Sequence, residues 1–293
     1  MTRYSPLASP SATRAHLKQW GLHTKKTLGQ HFLIDDGVVG RILKLAELRA
    51  GDHIIEIGPG IGTLTMALLA QGAEVFAVEK DHNLLKSLAN TFENETAFTL
   101  KVVDALDIDA VTDAMPFGTS QTLKLVANLP YAVAATVVLS YFENLPTLAS
   151  ATVMVQREVA QRMMAEPGTK DYGAYTVKLR MLAVPIDKFA VAATNFLPPP
   201  RVDSTVIRLD RAEPRISAEL YEATSFVVEA AFAQRRKTIR NSMRAHFALK
   251  DKDPALVDTL LEHAGIDPQL RGETLQPRQF SAMGTHYHSL PHK

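Results

Sequence analysis

The sequence contains no cysteine, a single tryptophan, and 32 basic against 31 acidic residues among 293, for a net charge of +1. Without cysteine, disulfides and thiolate-bound metal sites are excluded. A nearly neutral chain can attract nucleic acid only through the local placement of its charges. No apolar run approaches the ~20 residues needed to cross a bilayer. We therefore expect no membrane partner and no metal.

What the chain does contain is typical of a folded globular protein, with 46% hydrophobic and 22% charged residues. Its length exceeds the roughly 100–200 residues of one domain, which predicts one large domain or two unequal ones. No acidic residue precedes Asp35, although basic side chains and several serines do. An organelle transit peptide shares this composition. We interpret residues 1–24 as a mobile basic arm and expect a cytoplasmic monomer.

Short β-branched runs alternate with segments of helical period between residues 37 and 156. The predicted strands cover residues 53–57, 74–78, 98–103, 123–127 and 152–155, and the predicted helices 38–48, 63–71, 82–92 and 133–142. This alternation predicts a Rossmann-like α/β fold, a parallel sheet with helices on both faces. Runs at 188–193 and 205–209 are interpreted as an antiparallel pair that closes the sheet. Ligands of such sheets bind at the carboxyl ends of the strands.

The pattern changes near Glu213, after which residues 218–232, 238–247 and 255–264 all have helical period. We predict a sheet domain over residues 25–210 and a small C-terminal all-helical domain over 211–293. The histidine-rich segment 286–288 is interpreted as a frayed tail rather than a metal site.

Glycines at 58, 60 and 62 follow the first predicted strand. Glycine at a strand-to-helix turn lets the backbone approach a ligand closely. A nicotinamide enzyme would need G-x-G-x-x-G, but Thr63 stands in the place of the third glycine. The spacing therefore argues against a pyrophosphate. It favours a ligand with a single nucleoside, such as S-adenosylmethionine.

Two acids stand at the ends of the next two predicted strands. Glu79 lies about twenty residues beyond the glycine loop, where a carboxylate accepts from both ribose hydroxyls. Asp104 is placed to accept from the adenine amino group of the cofactor. Either acid alone could be an ordinary helix cap or loop residue. Their shared position at strand ends favours a nucleoside site.

Asn128, Leu129, Pro130 and Tyr131 follow the fourth predicted strand. Pro130 biases Leu129 toward an extended conformation, which can place the Leu129 carbonyl beside the Asn128 side-chain oxygen. Two such acceptors suit the two N–H groups of a primary amine. Tyr131 offers a flat face on which an extruded base can stack. A simple turn is the plain alternative, but a cofactor loop on the same sheet favours methyl transfer to an exocyclic amine.

Together these motifs resemble the ribosomal RNA adenine N6-dimethyltransferase family, in its small-subunit (16S) branch, with a class I methyltransferase fold. Further matching segments are residues 29–33, 156–160, 172–173, 196, 198–204, 231–237 and 270–273. The resemblance implies two substrates, S-adenosyl-L-methionine and two neighbouring adenines in a hairpin near the 3′ end of 16S rRNA in the immature small subunit.

The resemblance also assigns roles to residues. The cofactor contacts it implies are Gln30, His31, Leu33, Gly58, Gly60, Glu79, Asp104 and Asn128, with Gln30 at the methionine end. The target adenine would be held by residues 128–131, and Phe196 would stack on its other face. The family often has Asn where this chain has His31.

A cluster of basic residues lies at the start of the predicted helical domain: Arg235, Arg236, Lys237, Arg240 and Arg244. Helical period places Lys237, Arg240 and Arg244 on one face, which is also how an ordinary solvated face looks. Because the rest of the chain is nearly neutral, we predict that this cluster contacts RNA phosphates.

Two rivals remain open at this point. One is a large-subunit (23S) rRNA adenine methyltransferase of the macrolide-resistance type, against which Leu129 and the run 235–237 speak. The other is an RNA-binding assembly or transcription factor that kept the fold and lost turnover. The intact Glu79, Asp104 and 128–131 speak against it.

Overall fold

The computed structural model describes residues 3–23, 30–118 and 120–290. The chain forms two compact units, a sheet unit (Met1–Ala160 with Pro185–Arg211) and a helical unit (Gln161–Val184 with Ala212–Lys293). The break after Arg211 lies one residue from the predicted boundary. Residues 161–184 were predicted in the sheet domain but belong to the helical unit, because Tyr172 and Val177 are buried in its core.

A seven-stranded sheet forms the centre of the sheet unit. The strands of the chain, including two outside this sheet, are β1 (Phe32–Leu33), β2 (His53–Ile57), β3 (Glu74–Glu79), β4 (Phe98–Val102), β5 (Leu123–Asn128), β6 (Leu148–Gln156), β7 (Ala183–Val191), β8 (Phe196–Leu197) and β9 (Ser204–Arg211). The sheet order is β4-β3-β2-β5-β6-β9-β7, while β1 and β8 pair separately. Pairing is parallel from β4 to β6 and antiparallel between β6 and β9. The α/β fold is therefore confirmed.

Helices precede, connect and follow the parallel strands of this sheet. They are α1 (Pro10–Gln19), α2 (Asp36–Leu45), α3 (Thr63–Ala70), α4 (Leu85–Thr91), α5 (Ile108–Ala114), α6 (Ala134–Asn144) and α7 (Arg157–Met163), whose last residues pass into the helical unit. The central strand β2 buries Ile54, Ile55 and Ile57. Side chains buried on both faces are typical of a strand covered by helices on each side.

The amino-terminal segment differs from the predicted mobile arm. Its helix α1 is capped by Ser9, whose side chain accepts from the Ala12 N–H. The Tyr4 and Ser5 N–H groups donate to the Asp36 carboxylate at 3.0 and 2.8 Å, and Leu7 is buried in an apolar cluster. Composition showed the basic residues of this segment, but its apolar and backbone contacts hold it against the sheet unit.

The helical unit contains α8 (Ala174–Leu182), α9 (Ala218–Phe232), α10 (Ile239–Leu249), α11 (Leu256–His263) and α12 (Pro277–Ser289). Its core includes Val227, Met243, Phe247 and Leu260. The segment predicted to be a frayed tail lies in α12, because Tyr287 is buried and takes part in this core. Within the described part of the chain, no helix has the length and apolar character that crossing a bilayer requires.

Candidate active site

A cavity of about 600 Å³ opens at the carboxyl ends of the parallel strands. The predicted site residues that line it are Gln30, His31, Leu33, Gly58, Gly60, Glu79, Asp104, Asn128, Leu129, Pro130 and Tyr131. The structure thus brings together the glycine loop, the two predicted acids Glu79 and Asp104, and the tetrapeptide of residues 128–131. This is the position at which parallel α/β sheets bind their ligands.

The glycine loop takes a backbone conformation that side chains resist. Gly58 and Gly62 have φ angles of 68° and 89°, in the left-handed region that favours glycine. A Cβ on Gly62 would lie 2.7 Å from the Phe92 ring, and one on Gly58 would lie 3.4 Å from Pro130. The second distance places the loop directly against the tetrapeptide.

Glu79 is buried at the end of β3. Its Oε1 accepts from the Lys80 and Asp81 N–H groups at 2.8 and 2.7 Å. Burial raises the pKa of Glu79, and these bonds, with one from the Gly60 N–H, offset part of the rise. The carboxylate is therefore fixed in orientation at the edge of the cavity.

Asp81 was not among the predicted residues, although it lines the cavity two positions after Glu79. The Gln30 side-chain amide donates to Asp81 Oδ2 at 2.8 Å. The predicted cofactor residue Gln30 is thus hydrogen-bonded to the loop that follows Glu79. In the sequence, the only signal for Asp81 was its position two residues after Glu79. Its partner Gln30 lies 51 residues away, so the sequence does not indicate this hydrogen bond.

Asp104 follows β4 and is ion-paired with Lys80, whose Nζ lies 2.5 Å from Oδ2. Its Oδ1 accepts from the Leu106 N–H at 3.1 Å. The hydrogen bond from Lys80 is the main cause of a lowered pKa for Asp104. The carboxylate is therefore charged at neutral pH, and each oxygen keeps a lone pair for a further donor.

Glu56 is a second acid of the cavity that sequence reasoning missed. It lines the cavity but is only 1% exposed, and its Oε2 accepts from the Thr65 hydroxyl at 2.6 Å. Burial raises the pKa of Glu56 to about 8, helped by the charge of Glu79 and opposed by the Thr65 bond. The signal was a single acid inside an apolar strand. Despite these acids, the described residues include no group of three side chains arranged to hold a metal ion.

The tetrapeptide begins on the last residue of β5. The Asn128 side-chain nitrogen donates to the His31 carbonyl at 3.3 Å, which directs the amide oxygen away from that carbonyl. The Leu129 N–H donates to the Met154 carbonyl at 3.1 Å, and the Leu129 side chain is buried. Both residues that carry the proposed acceptors are therefore fixed to neighbouring backbone.

Two aromatic rings lie side by side in the cavity wall. The His31 and Tyr131 rings stack with centroids 5.7 Å apart and planes 25° from parallel. The His31 Nδ1 lies 2.8 Å from the Pro198 carbonyl oxygen, so Nδ1 carries the hydrogen, because a carbonyl can only accept. The Tyr131 hydroxyl shares a 2.6 Å hydrogen bond with Ser204. Burial raises the pKa of Tyr131, which keeps its hydroxyl protonated.

Phe196 differs from its predicted position. Among the described residues it is not part of the cavity lining, and its side chain is 2% exposed in the apolar core of the sheet unit. The cause is the pairing of β8 with β1, in which Phe196 lies opposite Leu33. Its ring packs in this apolar core and does not line the cavity.

The basic cluster is only partly available for RNA. Arg235 pairs with Glu273 at 2.7 Å, and Arg240 and Arg244 both pair with Asp258 at 2.7 and 2.5 Å. Arg236 and Lys237 are exposed. For these two, no side-chain partner is found in the described ranges of the chain. The predicted five-residue cluster therefore contains two cations free of internal ion pairs.

The fold and the cavity together define the chain as a methyltransferase of class I. A family model described as "Ribosomal RNA adenine dimethylase" matches residues 21–281. The chain belongs to this family. One relative, "Ribosomal RNA small subunit methyltransferase A" of Shouchella clausii, is 39% identical over 290 residues, covering 98% of this chain and 97% of the relative. A protein of the same name in Thermobifida fusca is 40% identical, with 96% of each chain covered.

Solved structures support the same fold. A dimethyladenosine transferase from Plasmodium falciparum has a TM-score of 0.70 at 23% identity, covering 86% of this chain and 96% of that one. The 23S rRNA methyltransferase ErmE has a TM-score of 0.64 at 27% identity, covering 87% and 98%.

Proposed function

We propose that this chain dimethylates the exocyclic amines of two neighbouring adenines in small-subunit (16S) rRNA, with S-adenosylmethionine as methyl donor. We propose that this reaction takes place in the cytoplasm, on the immature small subunit, and that the protein acts as a monomer. The names of its relatives, matched over nearly their full lengths, favour the small-subunit substrate over the 23S alternative. The cavity supports an active enzyme, because its acids and the tetrapeptide are intact and assembled.

The cavity fits the proposed methyl donor. Buried Glu79, with its fixed carboxylate, suits a ribose diol, and the charged Asp104 suits an amino group of the nucleoside base. Gln30, His31, Leu33, Gly58, Gly60 and Asn128 would complete the contacts. When bound, S-adenosylmethionine supplies a methyl group made electrophilic by a positive sulfur.

The target amine needs activation, because its lone pair is delocalised into the adenine ring. The Asn128 side-chain oxygen and the Leu129 carbonyl would each accept one N–H of the amine. Acceptors off the ring plane favour a pyramidal nitrogen, whose lone pair then points at the methyl carbon. Such alignment contributes at best about 7–11 kcal/mol to lowering a barrier.

Tyr131 would hold the plane of the target base. One face of its ring is covered by His31, and the opposite face would take the adenine. Stacking of a base on an aromatic side chain contributes roughly 1–3 kcal/mol. No general base is required before attack, because the nitrogen becomes strongly acidic once it is methylated.

Arg236 and Lys237 are the residues of the basic cluster that we propose to contact phosphates. Each phosphate neutralised steepens the dependence of binding on salt by roughly 0.7–0.9 log units per decade. Arg235 is paired with Glu273, and Arg240 and Arg244 share the single carboxylate of Asp258, so an RNA contact of these three would have to compete with those ion pairs.

The observation that carries the proposal is that Asn128 and Leu129 share one cavity with Gly58 and Glu79. The test is incubation with immature small subunits and radiolabelled methyl donor, followed by nucleoside analysis. We expect dimethyladenosine in the small-subunit RNA and no label in 23S RNA supplied in parallel. Label confined to 23S RNA would instead identify the large-subunit alternative. Absence of label from both would favour a non-catalytic RNA-binding factor.

A further inference from the structure

Tyr131 is held by a residue outside its own motif. Ser204, the first residue of β9, is fully buried, and its hydroxyl lies 2.6 Å from the Tyr131 hydroxyl. In the sheet register Ser204 lies opposite Gln156 of β6, which itself lines the cavity. The tyrosine is therefore fastened at its outer end to the rigid sheet, 73 residues away in sequence.

The ring that stacks on Tyr131 is held by the same part of the chain. Pro198 follows β8, and its carbonyl accepts the Nδ1–H of His31 at 2.8 Å. The segment from Pro198 to Ser204 thus contributes one hydrogen bond to each member of the His31–Tyr131 pair. Without the outer bond, the phenol ring would keep its stacking contact but could rotate about its side-chain torsions.

We propose that Ser204 is a positioning residue for methyl transfer, which sets the plane of the Tyr131 ring and, through that ring, the approach of the adenine amine. This inference rests on the proposed function, since it needs a base stacked on Tyr131. Alignment is sensitive to such support, because a 1 Å displacement of a reacting group costs up to about 100-fold in rate.

The test is a double-mutant cycle with Tyr131→Phe, Ser204→Ala and the variant that carries both. Each single change leaves one hydroxyl without its partner, whereas the double change removes both. We expect the urea midpoint to fall in the single variants and to recover in the double variant, because removing both partners is nearly neutral. We expect kcat with RNA to fall roughly 10- to 100-fold in all three variants, without recovery in the double variant.

Thr152→Val is the matched control, since Thr152 is a buried hydroxyl on β6 with no hydrogen-bond partner among the described residues. Because it removes a hydroxyl that has no partner in the described part of the chain, it should not lower the midpoint and should leave kcat unchanged. If kcat recovers together with stability in the double variant, Ser204 has a structural role only and the inference is overturned. A wild-type chain that transfers no methyl in the same assay would overturn the proposed function and this inference with it.

Discussion

The buried Glu56 makes stability depend on pH in a defined direction. In the folded protein burial raises its pKa from 4.5 to about 8, so the folded state holds a proton that the unfolded chain releases. The contribution of this group to stability is therefore complete below about pH 4.5 and is lost as pH rises toward 8. Between pH 5 and pH 8 the loss amounts to roughly 3–4 kcal/mol in the free energy of unfolding.

Glu56→Gln should remove this dependence, because the amide keeps an oxygen for the Thr65 hydroxyl and cannot ionise. The assay is urea unfolding of the ligand-free wild type and variant, followed by circular dichroism at several values of pH. We expect the variant to gain on the wild type steadily from pH 5 to pH 8. A difference in midpoint that stays constant across this range would refute the assignment of a neutral, proton-holding Glu56.

Three further predictions concern packing and RNA. Leu7→Ala should lower the free energy of unfolding by about 2 kcal/mol or more. Leu249→Ala, at a position 78% exposed, should change it little. Equal effects of the two variants in thermal denaturation would support the mobile arm predicted from composition. Gly62→Ala would combine a positive φ with a Cβ placed 2.7 Å from the Phe92 ring, whereas Gly168→Ala has a similar φ of 81° but open space around the added Cβ. We expect the free energy of unfolding to fall by about 1–2 kcal/mol in Gly168→Ala and by more in Gly62→Ala. Equal urea midpoints for the two variants would rule out the clash with Phe92. Arg236→Ala combined with Lys237→Ala should flatten the salt dependence of RNA binding by roughly 0.7–0.9 log units per charge, and Arg240→Ala should flatten it less; a larger effect at Arg240 in filter binding would show that its pair with Asp258 opens on RNA.

Local patterns predicted the parts of the structure that depend on neighbours in sequence. The apolar run of β2 and the helical period of α9 gave the observed residue ranges, 53–57 and 218–232. The assembly of the cavity could also be predicted, because parallel strands end at one edge of their sheet and each motif follows a strand. The motif residues that line the cavity could be predicted from their positions at the ends of strands alone.

The hydrogen-bond partners of those residues could not be predicted in this way. His31 and Pro198 are 167 residues apart, and Arg240 and Asp258 lie on different helices. The burial of Phe196 likewise depends on the pairing of two short strands, which no local period reveals. Charges on one helical face predicted an RNA contact, but the structure shows that an acid on the next helix takes up two of them.

Helix α12 was missed for a related reason. Glycine inside a helix costs roughly 1 kcal/mol relative to alanine, and Gly284 lies in the interior of this helix. In the structure this glycine allows a close approach of α9, since a Cβ there would lie within 2.7 Å of several Thr224 atoms. A tertiary contact therefore explains a residue that local propensity counted against the helix.

The most direct test of the account is the rate of a single methyl transfer by Asn128→Ala, measured beside the affinity of the variant for the methyl donor. If the side-chain oxygen of Asn128 orients the amine, the rate should fall by roughly 100- to 1,000-fold, as when one preorganised hydrogen-bonding group is removed from a reacting centre, with donor binding only partly weakened. Transfer at the wild-type rate with intact donor binding would contradict the claim that the Asn128 side-chain oxygen and the Leu129 carbonyl direct the reaction.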